Sequence, residues 1–196
     1  MRAGVISVQG AAPEHVMALQ DAMARMGMHG EVAAVRRPEQ LASLSCVIIP
    51  GGESTTISKL LLRLGLHEPL VRMGEEGVPI LGTCAGCVLL AREGDGEVDR
   101  TGTALLDLMD MKVDRNAFGR QRESFEVPLD IKGLDGSFPG VFIRGPVIER
   151  TWGRCEALSS HDGRIVMARQ DNLLATSFHP ELSRDTRVHE MLLRML

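Results

Sequence analysis

The chain has no tyrosine, one tryptophan and five phenylalanines, so aromatics make up only 3% of it. Surfaces that grip single-stranded nucleic acid stack bases on aromatic faces, and this scarcity argues against that role. The charge argues the same way: 22 Lys and Arg stand against 26 Asp and Glu, with no basic block. Long hydrophobic runs are missing too, because each candidate is broken by Gly, Pro or a charge before it reaches transmembrane length. The opening residues, MRAGVISVQG, lack the apolar stretch and small-residue cleavage site of a secretory signal. Cysteine is sparse: Cys46, Cys84, Cys87 and Cys155 are too few to staple a chain of 196 residues. Together these absences lead us to expect a reduced, soluble, cytoplasmic protein that binds neither nucleic acid nor membrane.

What is present is an aliphatic core supply, including eleven methionines, in a length that suits one domain over residues 1–196. The first half alternates short β-branched runs with helical patterns. Strands are expected at Ala3–Val8, Glu31–Val35, Cys46–Ile49 and from Pro79–Leu81 onward. An amphipathic helix is expected where Val16, Leu19, Met23 and Met26 recur at steps of three or four, and further helices over Thr55–Leu64 and Glu68–Glu75. This alternation predicts an open, mainly parallel sheet with helices on both faces, a three-layer α/β fold. From Met109 to Phe178 the pattern turns to strands (SFEVPLDI, GVFIRG, RIVMARQ, LLATSF) separated by turn residues, which reads as antiparallel strands added to the core. A last amphipathic helix is expected over Arg184–Leu196, with Val188, Met191, Leu192 and Met195 on one stripe and Arg184, Arg187 and Arg194 on a solvated face.

Ligands of open α/β sheets bind beyond the carboxyl ends of the strands, where two loops stand out: PGGEST after the third strand and GTCAG after the fourth. Gly82-Thr83-Cys84-Ala85-Gly86 is G-x-C-x-G, the thiol form of the nucleophile elbow. The flanking glycines allow a sharp turn, which projects Cys84 from the sheet edge at a helix N-terminus that favours thiolate. The Ala85 N–H is then available to a developing oxyanion. The same residues also suit a buried cysteine on a glycine-rich turn, and Cys84-x-x-Cys87 leaves redox and metal readings open. Cys46 and Cys155 lack a Cys or His neighbour at ligand spacing, and Cys87 would face VLL one helical turn past Cys84, like a small hydrophobe.

A nucleophilic cysteine needs a base. His179 in SFHPE suits that role, because Pro180 biases it towards extended backbone, where residues two apart project together. Glu181 would then orient the imidazole and stabilise its cation, giving a Cys84–His179–Glu181 triad.

Taken together, GTCAG, PGGEST and SFHPE resemble the triad-type (class I) glutamine amidotransferases. The further runs VQGAAPEH, RPEQL, IPGGESTTISKL, RNAFGRQRESFE and GVFIRGP, spread from about Gly4 to the last helix, are similar to the glutaminase subunit of pyridoxal 5'-phosphate synthase. The resemblance implies hydrolysis of L-glutamine to L-glutamate and ammonia through a glutamyl thioester on Cys84, without metal or organic cofactor. It implies glutamine contacts at Gly52, Glu53, Ser54, Arg115, Ile143 and Arg144, and an oxyanion hole from the backbone of Gly52 and Ala85. The residues alone allow other roles: Ser54 could cap the helix from Thr55, Arg115 could pair with Glu123, and Arg144 could be a surface charge. The resemblance also implies a (β/α)8-barrel synthase partner that takes the ammonia, and it makes Gln9 and Gly10 a candidate activation switch near the oxyanion hole. Glutaminase subunits of other synthases, and cysteine-elbow redox or stress proteins, share parts of this pattern.

Overall fold

The structure, a computed structural model, describes residues 1–115, 124–143 and 145–196. In chain order the elements are β1 (Arg2–Ile6), α1 (Ala12–Arg25), β2 (Glu31–Val35), β3 (Cys46–Ile49), α2 (Ser54–Arg63), α3 (His67–Glu75), β4 (Ile80–Thr83), α4 (Ala85–Leu90), β5 (Ala91–Glu93) and α5 (Gly96–Thr101). Then follow β6 (Met109–Asp114), β7 (Phe125–Asp130), β8 (Ser137–Phe142), β9 (Val147–Thr151), β10 (Glu156–His161), β11 (Arg164–Gln170), β12 (Leu173–Thr176) and α6 (Arg187–Leu193).

Among the described residues, one large sheet runs β2-β1-β3-β4-β12-β11-β9-β6-β5, with β10 paired to β11. The strands from β2 to β12 in that order are parallel, and β11, β9 and β6 follow in antiparallel pairing. Alternate residues of the central strands feed opposite faces, as the two-residue period requires. Val47 and Ile49 of β3 join the core under α2, α3 and α4. Cys46 and Ile48 join the core under α1 and α6. Burial on both faces explains why these strands read as unbroken apolar runs. Each fully buried Ile or Leu contributes roughly 1.5–3 kcal/mol of transfer free energy.

The three-layer expectation therefore holds, with differences in detail. LLATSF does not belong to the antiparallel addition: β12 lies parallel to β4, with Gly82 opposite Ala175 and Thr83 opposite Thr176. An apolar run buried on both sides suits either direction, so the residues alone do not distinguish them. The SFEVPLDI and GVFIRG strands form a separate two-stranded sheet, β7 with β8. Short β5 and α5 carry too few residues to show a period. The last helix is shorter than expected, and Arg187 is no free surface charge. Its Nε donates to Asp185 Oδ1 at 2.9 Å, and its guanidinium also donates to the carbonyls of Asp135 and Ser137. Among the described residues no helix is long and apolar enough to cross a membrane.

Helix α6 closes one face by setting Val188 and Leu192 among residues of α1, including Leu19 and Met23. Leu192 is fully buried. Leu192→Ala is expected to lower stability by about 2–5 kcal/mol, the usual cost of such a cavity, measured as a reduced midpoint in urea denaturation.

Candidate active site

The carboxyl ends of β1, β3, β4 and β12 converge on one rim of the sheet. Strand β4 ends at Thr83, and Cys84 follows with φ 50° and ψ −102°, outside the conformations that L-residues ordinarily adopt. Its N–H donates to the Thr176 carbonyl of β12 at 2.7 Å, which fastens the turn to the neighbouring strand. The flanking glycines answer a steric demand. A Cβ on Gly82 would lie 2.5 Å from the Gly86 carbonyl oxygen, and one on Gly86 would lie 2.1 Å from that of Ile49. Helix α4 then begins at Ala85, with its first N–H groups unpaired by helical geometry beside the thiol. The elbow read from the sequence is present.

Beyond β12 the Thr176 hydroxyl donates to the Phe178 carbonyl at 2.9 Å, and the His179 N–H donates to the Val141 carbonyl of β8 at 2.8 Å. His179 is non-helical, and Pro180–Leu182 forms a single 3-10 turn. That turn, rather than a continued extended segment, swings Glu181 back under the ring. His179 Nδ1 lies 2.7 Å from Glu181 Oε1, with both side chains buried. Burial works against the imidazolium, but hydrogen bonds from the ring to Cys84 and Glu181 outweigh it, and the pKa of His179 rises from 6.5 to about 10. The structure thus unites Cys84, His179 and Glu181.

Gly51, which the sequence reading passed over, makes this approach possible. A Cβ there would stand 2.5 Å from His179 Cε1 and 3.3 Å from Cys84 Cβ. The Gly51 carbonyl accepts from the Ala11 N–H at 3.1 Å, which in a trans peptide turns the Gly52 N–H away from the β1–α1 loop. From that loop the Gln9 side chain reaches across, its Oε1 accepting from the Glu53 N–H at 3.0 Å. Gly10 has φ 99°, and a Cβ there would meet the Gly51 carbonyl oxygen at 1.9 Å. Gln9 and Gly10 are therefore coupled directly to the PGGEST loop.

Within that loop the helix cap is Glu53, not Ser54. The Glu53 carboxylate accepts from Thr55 N at 2.9 Å, Thr56 N at 2.7 Å and the Thr56 hydroxyl at 2.6 Å. Ser54 is already helical and buried. Burial would raise the Glu53 pKa, but the bonds from Thr56 and Thr55 prevail and bring it to about 2. Glu53 Oε1 also meets Arg115 Nη2 at 3.1 Å. Arg115 Nη1 faces the hydroxyls of Thr55, Thr101 and Thr103 at 3.2, 3.2 and 3.4 Å, and the Arg115 N–H donates to Asp95 at 2.8 Å. The sequence offered no sign of the three threonines, because Thr55 comes from the start of α2 and Thr101 and Thr103 from the end of α5 and the segment after it. Glu123, the other partner considered for Arg115, lies outside the described residues, as does Arg144. Ile143 follows β8 two residues after Val141, whose carbonyl holds His179, and its side chain is 44% exposed.

Cys87 is wholly buried in the core under α2 and α3, and burial first, then the nearby Cys84 and Cys155, push its thiol pKa up. All four cysteines are free. Two other buried residues were missed. His15 of α1 and His189 of α6 meet behind Glu181, with His15 Nδ1 3.1 Å from His189 Nε2 and His15 Nε2 3.3 Å from Glu181 Oε2. Their signal was available: each is a histidine on the apolar stripe of its helix.

With this geometry in hand, comparison places the chain among known proteins. The sequence profile of the SNO glutamine amidotransferase family matches residues 5–196. A protein of Archaeoglobus fulgidus named pyridoxal 5'-phosphate synthase subunit PdxT is 50% identical, with 100% of this chain and 98% of that protein covered. The protein of the same name from Thermococcus onnurineus is 49% identical, over 99% and 98% of the two chains. A solved structure described as a glutamine amidotransferase superposes with a TM-score of 0.87 at 43% identity, covering 98% of this chain and 97% of its own.

Because the pKa of His179 lies above its unfolded value, the folded state gains stability from the protonated ring below about pH 6.5. That gain fades as pH climbs towards about 10. In an NMR titration His179 is expected to keep its proton until about pH 10, and Glu181→Gln, which removes one of the raising contacts, is expected to lower that midpoint. A midpoint unmoved by Glu181→Gln would contradict the assigned hydrogen bond.

Proposed function

We infer that this chain, which belongs to the SNO glutamine amidotransferase family, hydrolyses L-glutamine to L-glutamate and ammonia. The observation that carries this reading is the buried His179–Glu181 bond of 2.7 Å set against a cysteine on a strained elbow. In the proposed reaction the Cys84 sulfur attacks the side-chain amide carbon of glutamine. The oxyanion that forms is held by the N–H groups of Gly52 and Ala85. His179, cationic and oriented by Glu181, gives its proton to the departing ammonia, leaving a glutamyl thioester. A water molecule then loses a proton to His179 and attacks the thioester, releasing glutamate and restoring the Cys84 thiolate beside protonated His179. No step calls for a metal or an organic cofactor.

Substrate selection follows from the chemistry of glutamine's backbone groups. The α-carboxylate suits the Arg115 guanidinium, whose plane is set by Glu53 and three threonine hydroxyls. The backbone of Gly52, Glu53 and Ser54 and the region of Ile143 and Arg144 complete the proposed site. Residues 1–196 act as one glutaminase domain in this reading, and the four free thiols fit a reducing, cytoplasmic setting.

Relatives that match nearly the full length are named as subunits of pyridoxal 5'-phosphate synthase, which supports a synthase subunit as the consumer of the ammonia. We take that partner to be a (β/α)8 barrel. Docking near the β1–α1 loop would act through Gln9 and Gly10, since that loop holds the Gly51 carbonyl and the Glu53 N–H. The switch predicts much slower glutamine turnover by the isolated chain than by the complex; equal rates would refute it.

The decisive experiment mixes this protein with the synthase subunit, glutamine and sugar phosphates, and follows glutamate together with the pyridoxal aldehyde chromophore. Cys84→Ala is expected to abolish both signals. Cys87→Ser is expected to keep most of the activity, because Cys87 is fully buried in the core. Glutamate without chromophore would assign the ammonia to a different synthase, and activity in Cys84→Ala would overturn the mechanism.

A further inference from the structure

The triad's carboxylate has a second oxygen that the reaction leaves unexplained. Glu181 Oε2 is fully buried and lacks a well-formed hydrogen bond. The nearest donor described for it is His15 Nε2 at 3.3 Å, whose ring also lies 3.0 Å from the Thr83 hydroxyl, one residue before the nucleophile. On its other side His15 Nδ1 lies 3.1 Å from His189 Nε2, and His189 Nδ1 is buried without a partner. A continuous line thus runs from α6 through α1 to the triad: His189, His15, Glu181, His179, Cys84.

We propose that His15 is a positioning residue that holds Glu181 in line with His179, and that His189 fixes the tautomer through which His15 does so. This rests on the reading of Cys84, His179 and Glu181 as the catalytic triad. The orphaned atom decides the proton arrangement. If His15 carried its proton on Nδ1, it would donate to His189 Nε2, and His189 would have to bury an unsatisfied N–H. His15 would then also turn a lone pair towards a carboxylate. In the opposite arrangement His189 Nε2–H donates to His15 Nδ1, and His15 Nε2–H faces Glu181 Oε2 and the Thr83 hydroxyl. Only an acceptor lone pair on His189 is then left over, the lesser penalty in a buried site. Each ring therefore donates towards the carboxylate.

Both rings must stay neutral for this to work. Burial, then the neighbouring His189 and His179, lower the His15 pKa well below 6.5, and burial brings His189 to about 4. A charged His15 would compete with His179 for the same carboxylate, whereas a neutral N–H orients it without taking its charge. Among the described residues, the ionisable groups facing His15 are His189 from α6, and Glu181 and His179 from the segment after β12.

Removing this support should narrow the pH window of the Cys84–His179 pair from both sides. The full chain and its complex with the synthase subunit are assayed as His15→Leu, His189→Leu and His189→Gln. Two readouts are taken across pH: glutaminase turnover of the complex, and iodoacetamide labelling of Cys84 in the chain alone. His15→Leu is expected to cut kcat by about tenfold or more with KM within about twofold, in line with other supporting-shell losses. It should also raise the midpoint of Cys84 labelling and lower the alkaline limb of turnover, each by about half a pH unit or more. His189→Gln, whose amide can still donate to His15, is expected to stay close to the unaltered protein, while His189→Leu shifts both limbs. A folded His15→Leu with unchanged limbs and kcat overturns the proposal, and equal behaviour of His189→Gln and His189→Leu overturns the tautomer role. Should His15→Leu not fold, His189→Leu is read by the same criterion. A complex of the unaltered chain without glutaminase activity would sink the reaction assigned above, while the labelling limbs would still decide the role of His15.

Discussion

The parallel pairing of β4 with β12 is the contact on which the rest of the site depends. Thr83 and Thr176 sit opposite one another at the ends of the two strands. The residues that follow, Cys84 on one strand and Ser177 to His179 on the other, therefore leave the sheet at the same point although they are far apart in the chain. The Cys84 N–H then binds the Thr176 carbonyl. A slip of one residue in this register would turn every side chain of β12 to the other face. Leu174 and Ala175, which now serve opposite cores, would exchange places. The apolar alternation that builds the core therefore also fixes where Cys84 and His179 meet.

This arrangement carries strain. A non-glycine residue at φ 50° costs on the order of 1–2 kcal/mol. The hydrogen bond to Thr176 offsets about 1 kcal/mol of it. Burial of Val88, Leu89 and Leu90 immediately downstream outweighs the remainder and commits the chain to entering α4 at that angle. The glycines at 51, 82 and 86 serve the same end, since each stands where a backbone or ring atom occupies the space of a Cβ.

How much of this was legible depended on whether the determining contacts were local. The elbow could be read because its glycines surround the cysteine in sequence, and His179 with Glu181 because they lie two residues apart, although a 3-10 turn rather than the expected extended backbone brings them together. The parallel layer was legible up to β4, since helical patterns separate β1 from β2 and β3 from β4. The direction of β12 was not, because LLAT is apolar on both faces whichever way it runs. The alternative cap role considered for Ser54 falls instead to Glu53, an offset of one residue. A glutamate side chain is long enough to reach back to the first turn from the non-helical position before it, which composition does not reveal. The threonines around Arg115 and the pairing of His15 with His189 depend on contacts between distant segments, which no spacing rule encodes.

The surroundings of Arg115 show how a site can hold a charge without spending it. A guanidinium ringed by carboxylates would be neutralised before any anionic ligand arrived. Here a single carboxylate meets its side chain among the described residues, and Glu53 has much of its own charge engaged by the N-terminus of α2 and the hydroxyl of Thr56. The other side-chain partners are three neutral threonine hydroxyls, which fix the plane of the guanidinium without adding negative charge to that of Glu53. In the proposed reaction the guanidinium's residual charge selects an amino acid's carboxylate. The same division of labour recurs on the far side of Glu181, where His15, a ring kept neutral by burial, faces the oxygen that His179 does not use. In both places orientation comes from dipoles and charge is kept for the partner that reacts or binds, which is how a buried polar site can be rigid and still electrostatically unsatisfied towards its ligand.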